Sequence, residues 1–412
     1  MHISRGLRAA FFCLWPGLVC ATPPDLNAAL TTVDARLAVA PDDLHALFNR
    51  GMLLAELGQP MAAADAFRAM LTQDPGLLRP RLELARVLTE AGDYDAARYH
   101  FEQVMAHDLP ESVRRNVQGF MTRIREELPR FAMTVEMVTD SNPKQATHNE
   151  EVVIGGLTYR LNNDARAESA SGFRVLLNGR MPIKDAPLWF INSQAEHLEF
   201  PGKVLDFSSL QVTGGRHWRR PEHTITVEGG HHWARYQHAD LYSGTTWSIT
   251  DFRPLRPNLS LELGLSGLQL RYPDHPFRDA WQHSANSALI YASSPTQRWE
   301  LRTSLTQNRA AERAYTFQQP QVSLRHVREW PGGWVTGLGL SASKTRYAGV
   351  DPFFAETRNE TETRMDTDLT HRRLRLWRMA PRLQVGWTSH RSNIDFYDWQ
   401  RAFVRLGMTA EF

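Results

Sequence analysis

Beyond residue 130 the chain alternates. In "NLSLELGLSG", Leu259, Leu261, Leu263 and Leu265 fall on one side, while Ser260, Glu262, Gly264 and Ser266 fall on the other. "WVTGLGLSASK" repeats the pattern with Trp334, Leu338, Leu340 and Ala342, and "HTITVEGGHHW" and "QRWELRTSLTQ" behave alike. A period of two sends successive side chains to opposite faces of a strand. A soluble sandwich shows the same period, so three further features decide in favour of a transmembrane barrel, the last being the aromatic end at Phe412. The segments are as long as tilted strands that cross a bilayer. The links also alternate, with "RRPEH", "SSPTQR" and "EWPGGW" short and "YPDHPFRDAW", "NRAAERAYTF" and "YAGVDPFFAETRNE" long. Outer-membrane barrels have short periplasmic turns and long external loops.

Counting under that constraint predicts fourteen antiparallel strands, from 131–138 to 400–412, with the fifth at 223–235 and the sixth at 241–251. An even number places both barrel ends on the periplasmic side. The apolar piece "EEVVIGGLTYRL" (150–161) is left over and is assigned to the first external loop, as a short hairpin that folds over or into the pore. In "RAFVRLGMTAEF" the alternation runs to the last residue, and Phe412 resembles the aromatic signal read by the barrel-assembly machinery. Most of the charged strand residues Glu228, Glu262, Glu300, Asp366, Asp368, Arg302, Arg325, Arg364, Arg401 and Arg405 are expected to face the lumen, since charge facing lipid is costly.

Before residue 130 the vocabulary is Ala, Leu, Met and Arg, and every Trp except Trp15 lies beyond position 188. That contrast predicts an α + β multidomain chain: a helical domain over 22–129 and a barrel over 130–412. The helical part repeats with an offset of 34, from Pro41 to Pro75. Leu54 matches Leu88, Gly58 matches Gly92, Ala63 matches Ala97, Phe67 matches Phe101, and small Gly51 matches small Ala85. The two units resemble tetratricopeptide repeats. Residues 25–39 are expected to complete an earlier half-unit and 110–127 to cap the stack. In such repeats the first helix of each unit lines a concave groove, which assigns a client-binding role to His45, Phe48, Met52, Arg79, Leu82 and Arg86. Phe48, Met52 and Leu82 read equally well as core.

At the start, Arg5 and Arg8 precede an apolar stretch from Ala9 to Val19, and Ala21 fits a signal-peptidase site, giving a signal peptide over 1–21. Cys13 and Cys20 both fall inside it, so the mature chain is expected to have no thiol, disulfide or zinc-thiolate site. An exported Gram-negative envelope protein follows. The net charge of +2 shows no nucleic-acid footprint. A mean hydropathy of −0.43 argues against a helical membrane protein but not against a barrel.

No catalytic residue, cofactor or metal site is assigned, and the chain is not read as an enzyme. Of the sixteen histidines, His231, His232 and His238 cluster in "GGHHWARYQH", but adjacent His231 and His232 point to opposite faces of a strand and cannot readily share a metal. Ser141 and Lys144 fit S-x-x-K, but in a loop and without partner motifs. The arginine-rich 371–379 falls at a periplasmic turn, facing lipid headgroups or simply solvated.

Four stretches narrow the family. "VTDSNP" at 138–143 resembles the element after the first strand of the surface lipoprotein assembly modulator (Slam) family, and "GGLTYRLNNDAR" resembles its next segment. "RYAGVDPFFAETRNE" is similar to a late loop of that family, and "SNIDFYDWQRAFVRLGMTAEF" to its terminal strand pair. Trp399 and the short repeat domain depart from the pattern. The resemblance singles out Asp140, Ser141, Asn142, Asp351, Pro352, Phe354, Ser392, Asn393 and Tyr397, with no role attached. It implies a monomeric outer-membrane barrel that moves a surface lipoprotein or other secreted client from periplasm to cell surface. A passive porin with a tethering domain and an assembly scaffold are the alternatives.

Overall fold

The computed structural model describes residues 25–410 except 108, 127–128, 184–185, 202–204, 221, 295, 372–373, 375 and 377–378. The expected cleavage site and Phe412 therefore lie outside the described residues, as does much of the arginine-rich turn.

Six helices come first: α1 (Leu26–Val39), α2 (Leu44–Glu56), α3 (Pro60–Gln73), α4 (Leu78–Ala91), α5 (Tyr94–Met105) and α6 (Glu111–Glu126). Asp25 and Asp43 cap α1 and α2 by accepting hydrogen bonds from backbone N–H groups of the first turn. Pro60 opens α3, where its missing N–H costs nothing. Gly58 and Gly92, at φ of +73° and +80°, reverse the chain after α2 and α4. The matched positions of the two repeats meet in one core, with Ala63, Phe67, Leu88, Ala97 and Phe101 all fully buried or nearly so. Gly51 shows why the helix contact demands a small residue. A Cβ there would sit 2.6 Å from the Phe67 ring.

The barrel strands are β1 (Arg130–Asp140), β4 (Ala170–Ile183), β5 (Ala186–Glu199), β6 (Phe207–Arg219), β7 (Thr224–Tyr236), β8 (Ala239–Arg256) and β9 (Leu259–Leu270), followed by β10 (Ala280–Ser294), β11 (Gln297–Ala310), β12 (Phe317–Glu329), β13 (Trp334–Val350), β14 (Thr357–His371), β15 (Ala380–Ser392) and β16 (Trp399–Thr409). Each pairs with its sequence neighbour, and β1 closes on β16 with Val135 opposite Met408 and Met137 opposite Leu406. The fourteen-strand expectation holds. The leftover segment forms a separate hairpin, β2 (Glu151–Ile154) and β3 (Leu157–Arg160), turned by Gly155 and Gly156.

Loop lengths depart from strict alternation. The fifth and sixth strands were expected to end at 235 and 251, but β7 runs to Tyr236 and β8 spans 239–256. They meet in a two-residue turn at Gln237 and His238, both at positive φ (50° and 68°). That turn lies at the end of the barrel away from the helices, where long loops were expected, and it lacks the Asn-Gly or Asp-Gly signature that marks such turns.

Outward positions carry the alternating apolar residues. Met133, Leu177, Ile191, Leu210, Leu263, Leu265, Leu338 and Leu406 are all exposed. Exposed aromatics form a girdle at the helical end (Trp189, Trp218, Tyr291, Trp299, Trp330, Trp334), and Trp233, Trp247 and Trp281 sit towards the other. This is the exterior of a lipid-embedded barrel.

Candidate functional site

Three regions carry polar chemistry: the lumen, the far-end loops and the near mouth beside the helices.

Strand register places the alternate, polar residues inside. One arc of the lumen, formed by β12, β14–β16, β1, β4 and β5, is a lattice of charge. Arg174 bridges Glu196 at 2.8 Å and Glu136 at 3.3 Å. Asp366 receives Arg325 at 3.5 Å, Arg364 at 3.3 Å and the Gln384 amide at 3.3 Å. Asp368 pairs with Arg325 and Arg382. Phe403, an apolar residue at an inward position of the last strand, is fully buried, with the guanidinium groups of Arg364, Arg401 and Arg405 around its ring. Each strong charge thus meets an opposite charge or an aromatic face, which offsets its partial desolvation. The opposite arc, on β8–β10, presents Thr246, Ser248, Ser266, Gln282, Ser284 and Asn286, with Glu262 as its charged member. The histidine doublet separates as geometry required. His231 lies outside against Trp233, and His232 lies inside against Tyr242.

At the far end the family-motif residues come together although they lie in three distant segments. Asn142 is fully buried. Its amide nitrogen donates to the carbonyls of Ala146 (2.8 Å) and Gln400 (3.1 Å), and its oxygen accepts from the Ala146 N–H. Asp140 accepts from the Asn142 N–H at 2.9 Å. Ser141 is stitched to Ala402 in both directions, at 2.9 and 2.8 Å. Its hydroxyl is therefore engaged as a loop tie, and Lys144 pairs instead with Glu168. In the second loop, Asp351 accepts from the N–H groups of Phe353 and Phe354 and from the Tyr397 hydroxyl at 2.8 Å. Burial, and then this bond to a carboxylate, push the Tyr397 phenol well above its usual pKa, so it stays a donor. Phe354, Phe396 and Tyr397 cluster, and the Arg358 guanidinium lies between the Tyr347 and Tyr397 rings at 3.9 and 4.2 Å. Asn393 binds the Asn359 N–H and the Thr357 carbonyl, while Ser392 accepts from the Ile394 N–H. Pro352 lies in the same turn. The motif thus builds a knot over β13–β16 and β1.

At the near mouth the helices dock on the barrel. Arg81 of α4 is fully buried and holds both carboxylate oxygens of Glu329 at 3.1 and 3.2 Å, with the Pro75 carbonyl at 2.6 Å. Bidentate geometry of this kind gives direction as well as energy. Glu102 of α5 pairs with Arg298 at 3.0 Å. The turn between α4 and α5 approaches Arg130–Ala132 and Ala410, so the helices lie across the opening. Nothing local in the sequence marked Arg81, whose partner is 248 residues away.

The six residues assigned to a groove lie on the surface of the helical domain or against its core. His45 and Arg79 are exposed, and Arg79 lies over the Phe48 ring. Phe48, Met52 and Leu82 are half-buried against the helical core, and Arg86 is held by Glu83 and Glu90.

The family model described as surface lipoprotein assembly modifier matches residues 131–412, and a tetratricopeptide-repeat model matches 19–86. The chain belongs to the surface lipoprotein assembly modifier family. Surface lipoprotein assembly modifier 1 of Neisseria meningitidis serogroup B is 24% identical over 396 residues, covering 89% of this chain and 76% of the relative. A surface lipoprotein assembly modifier of Pasteurella multocida is 20% identical over 416 residues, covering 90% and 77%. Among solved structures, a Pseudomonas aeruginosa FadL homologue aligns with a TM-score of 0.41 at 8% identity, over 77% of this chain and 94% of that one.

Proposed function

We propose that this member of the family sits in the outer membrane with its repeats in the periplasm, and helps move a surface lipoprotein client to the cell surface. The observation that carries this reading is the docked geometry. A repeat domain built to bind polypeptide is clamped over the near mouth of a closed barrel by the buried Arg81–Glu329 pair. In this reading residues 1–21 are removed on export, 22–129 capture the client through His45, Phe48, Met52, Arg79, Leu82 and Arg86, and 130–412 form the conduit. Phe412 serves the barrel-assembly machinery, and the knot around Asn142 and Asp351 shapes the exit. The chemistry is passage rather than bond-making, and it calls on no cofactor. A passive porin is disfavoured by the charge lattice and by helices across the mouth.

The test is co-expression with a candidate lipoprotein, followed by protease shaving of intact cells. Client should become protease-accessible only when this protein is present. Equal display without it sinks the proposal. Phe48→Ala should weaken client capture with normal barrel assembly, and unchanged capture would remove the groove assignment alone.

A further inference from the structure

A cleft of about 930 Å³ separates α5–α6 from the near-end turns that join β6 to β7, β8 to β9 and β10 to β11. Its barrel wall is the lumen face of those strands. Thr224, Ser260 and Ile290 line it, and their neighbours Ile225, Leu261 and Leu289 are the ones that point outward. Its helical wall includes exposed Gln118 and Arg123. The cleft therefore opens from solvent beside α6 onto the lumen side of the near rim, next to the arc of β8–β10. Its lining holds six arginines (114, 123, 219, 220, 256 and 298) against three glutamates (102, 111 and 222), with Met105, Met121 and Phe252 between them.

We propose that this cleft is the entry site for client, and that it takes an extended stretch of polypeptide bearing carboxylates. The proposal rests on the transport reading and gives it a place distinct from the repeat groove, because none of the six groove residues lines the cleft. Excess arginine at an exposed rim draws in acidic chain and fixes its register. The methionines and Phe252 accept apolar side chains of varied shape. The Glu102–Arg298 pair ties α5 to β11 at the cleft wall and keeps the passage from closing or gaping. A lipid headgroup fits the charge equally, but the wall faces the lumen and not the lipid side, which favours polypeptide.

The experiment uses the full chain in detergent, with a fluorescent peptide of alternating Glu and Ser as probe and its Lys–Ser counterpart as control. The Glu–Ser peptide should bind, the Lys–Ser peptide should not, and added salt should weaken binding. The double variant R220E/R256E should weaken the Glu–Ser peptide roughly tenfold or more, with normal heat-modifiable migration of the barrel. A photo-crosslinker at Gln118 should capture the peptide. Equal affinity of the variant overturns the assignment. So does loss of binding to added anionic phospholipid without capture at Gln118, which would make this a headgroup site. In cells, display that needs the protein yet ignores R220E/R256E removes the entry site and leaves the transport reading standing. Display that never needed the protein removes the transport reading, and peptide binding then decides the cleft separately.

Discussion

The two arcs of the lumen are built on opposite principles. On β14–β16, β1 and β4 the inward face carries a network of charges held by opposite charges, such as Arg174 between Glu136 and Glu196 and Asp366 between Arg325 and Arg364. On β8–β10 the polar inward residues are mostly hydroxyls and amides, with Glu262 as the charged member, and they bond locally, such as Ser284 with Thr306. A cross-braced arc resists deformation, because moving one arginine strands its partners. A neutral arc offers weak, interchangeable contacts to whatever slides past. One side of this barrel is a girder and the other a runway.

Breaking the girder should have the largest effect. Glu136→Leu leaves Arg174 with one carboxylate in place of two, and Glu136 is almost wholly buried. A loss of about 3–5 kcal/mol is expected, read from urea unfolding of the folded barrel. A loss no greater than that of a neutral-arc variant would erase the distinction. Next comes the knot that ties the braced arc at its far end. Asn142→Ala orphans two carbonyls and one N–H, at a cost of about 1–3 kcal/mol. Hydrogen exchange should rise at 141–147 and 400–402 while the β8–β10 amides stay protected. Ser284→Ala on the runway should cost under about 1 kcal/mol by the same unfolding assay.

The smallest effect concerns a partly exposed carboxylate at a helix start. The Ala46 N–H donated to Asp43, with Arg36 beside it, holds that carboxyl below its ordinary value of 3.8. Its support for the start of α2 is present above that value and fades as pH falls through the lower, folded one. Helix content of the repeats should therefore dip at acid pH, and Asp43→Asn should remove that component of the dip.

How much of this was written in the sequence depends on distance along the chain. The 34-residue offset and the leucines of 259–265 were legible, because helix and strand periods act over a few residues. Inward placement of Arg364 and Asp366 followed from the cost of charge facing lipid. The motif around Asp140–Asn142 was visible as a resemblance, but its work was hidden. Its partners at Gln400 and Ala402 are supplied by closure of β1 on β16, which no local pattern encodes. The Arg81–Glu329 contact was illegible for the same reason. The tight turn at Gln237–His238 was missed because its residues are unusual at positive φ.

Glu329 and Trp330 are consecutive. The first grips Arg81 and with it the helices, while the second faces outward and donates its indole N–H to Thr336 at 2.9 Å. A single peptide bond therefore couples the altitude of the cylinder in its bilayer to the seat of the helical cap. A thinner or thicker membrane that pulls on the indole pulls on that seat as well.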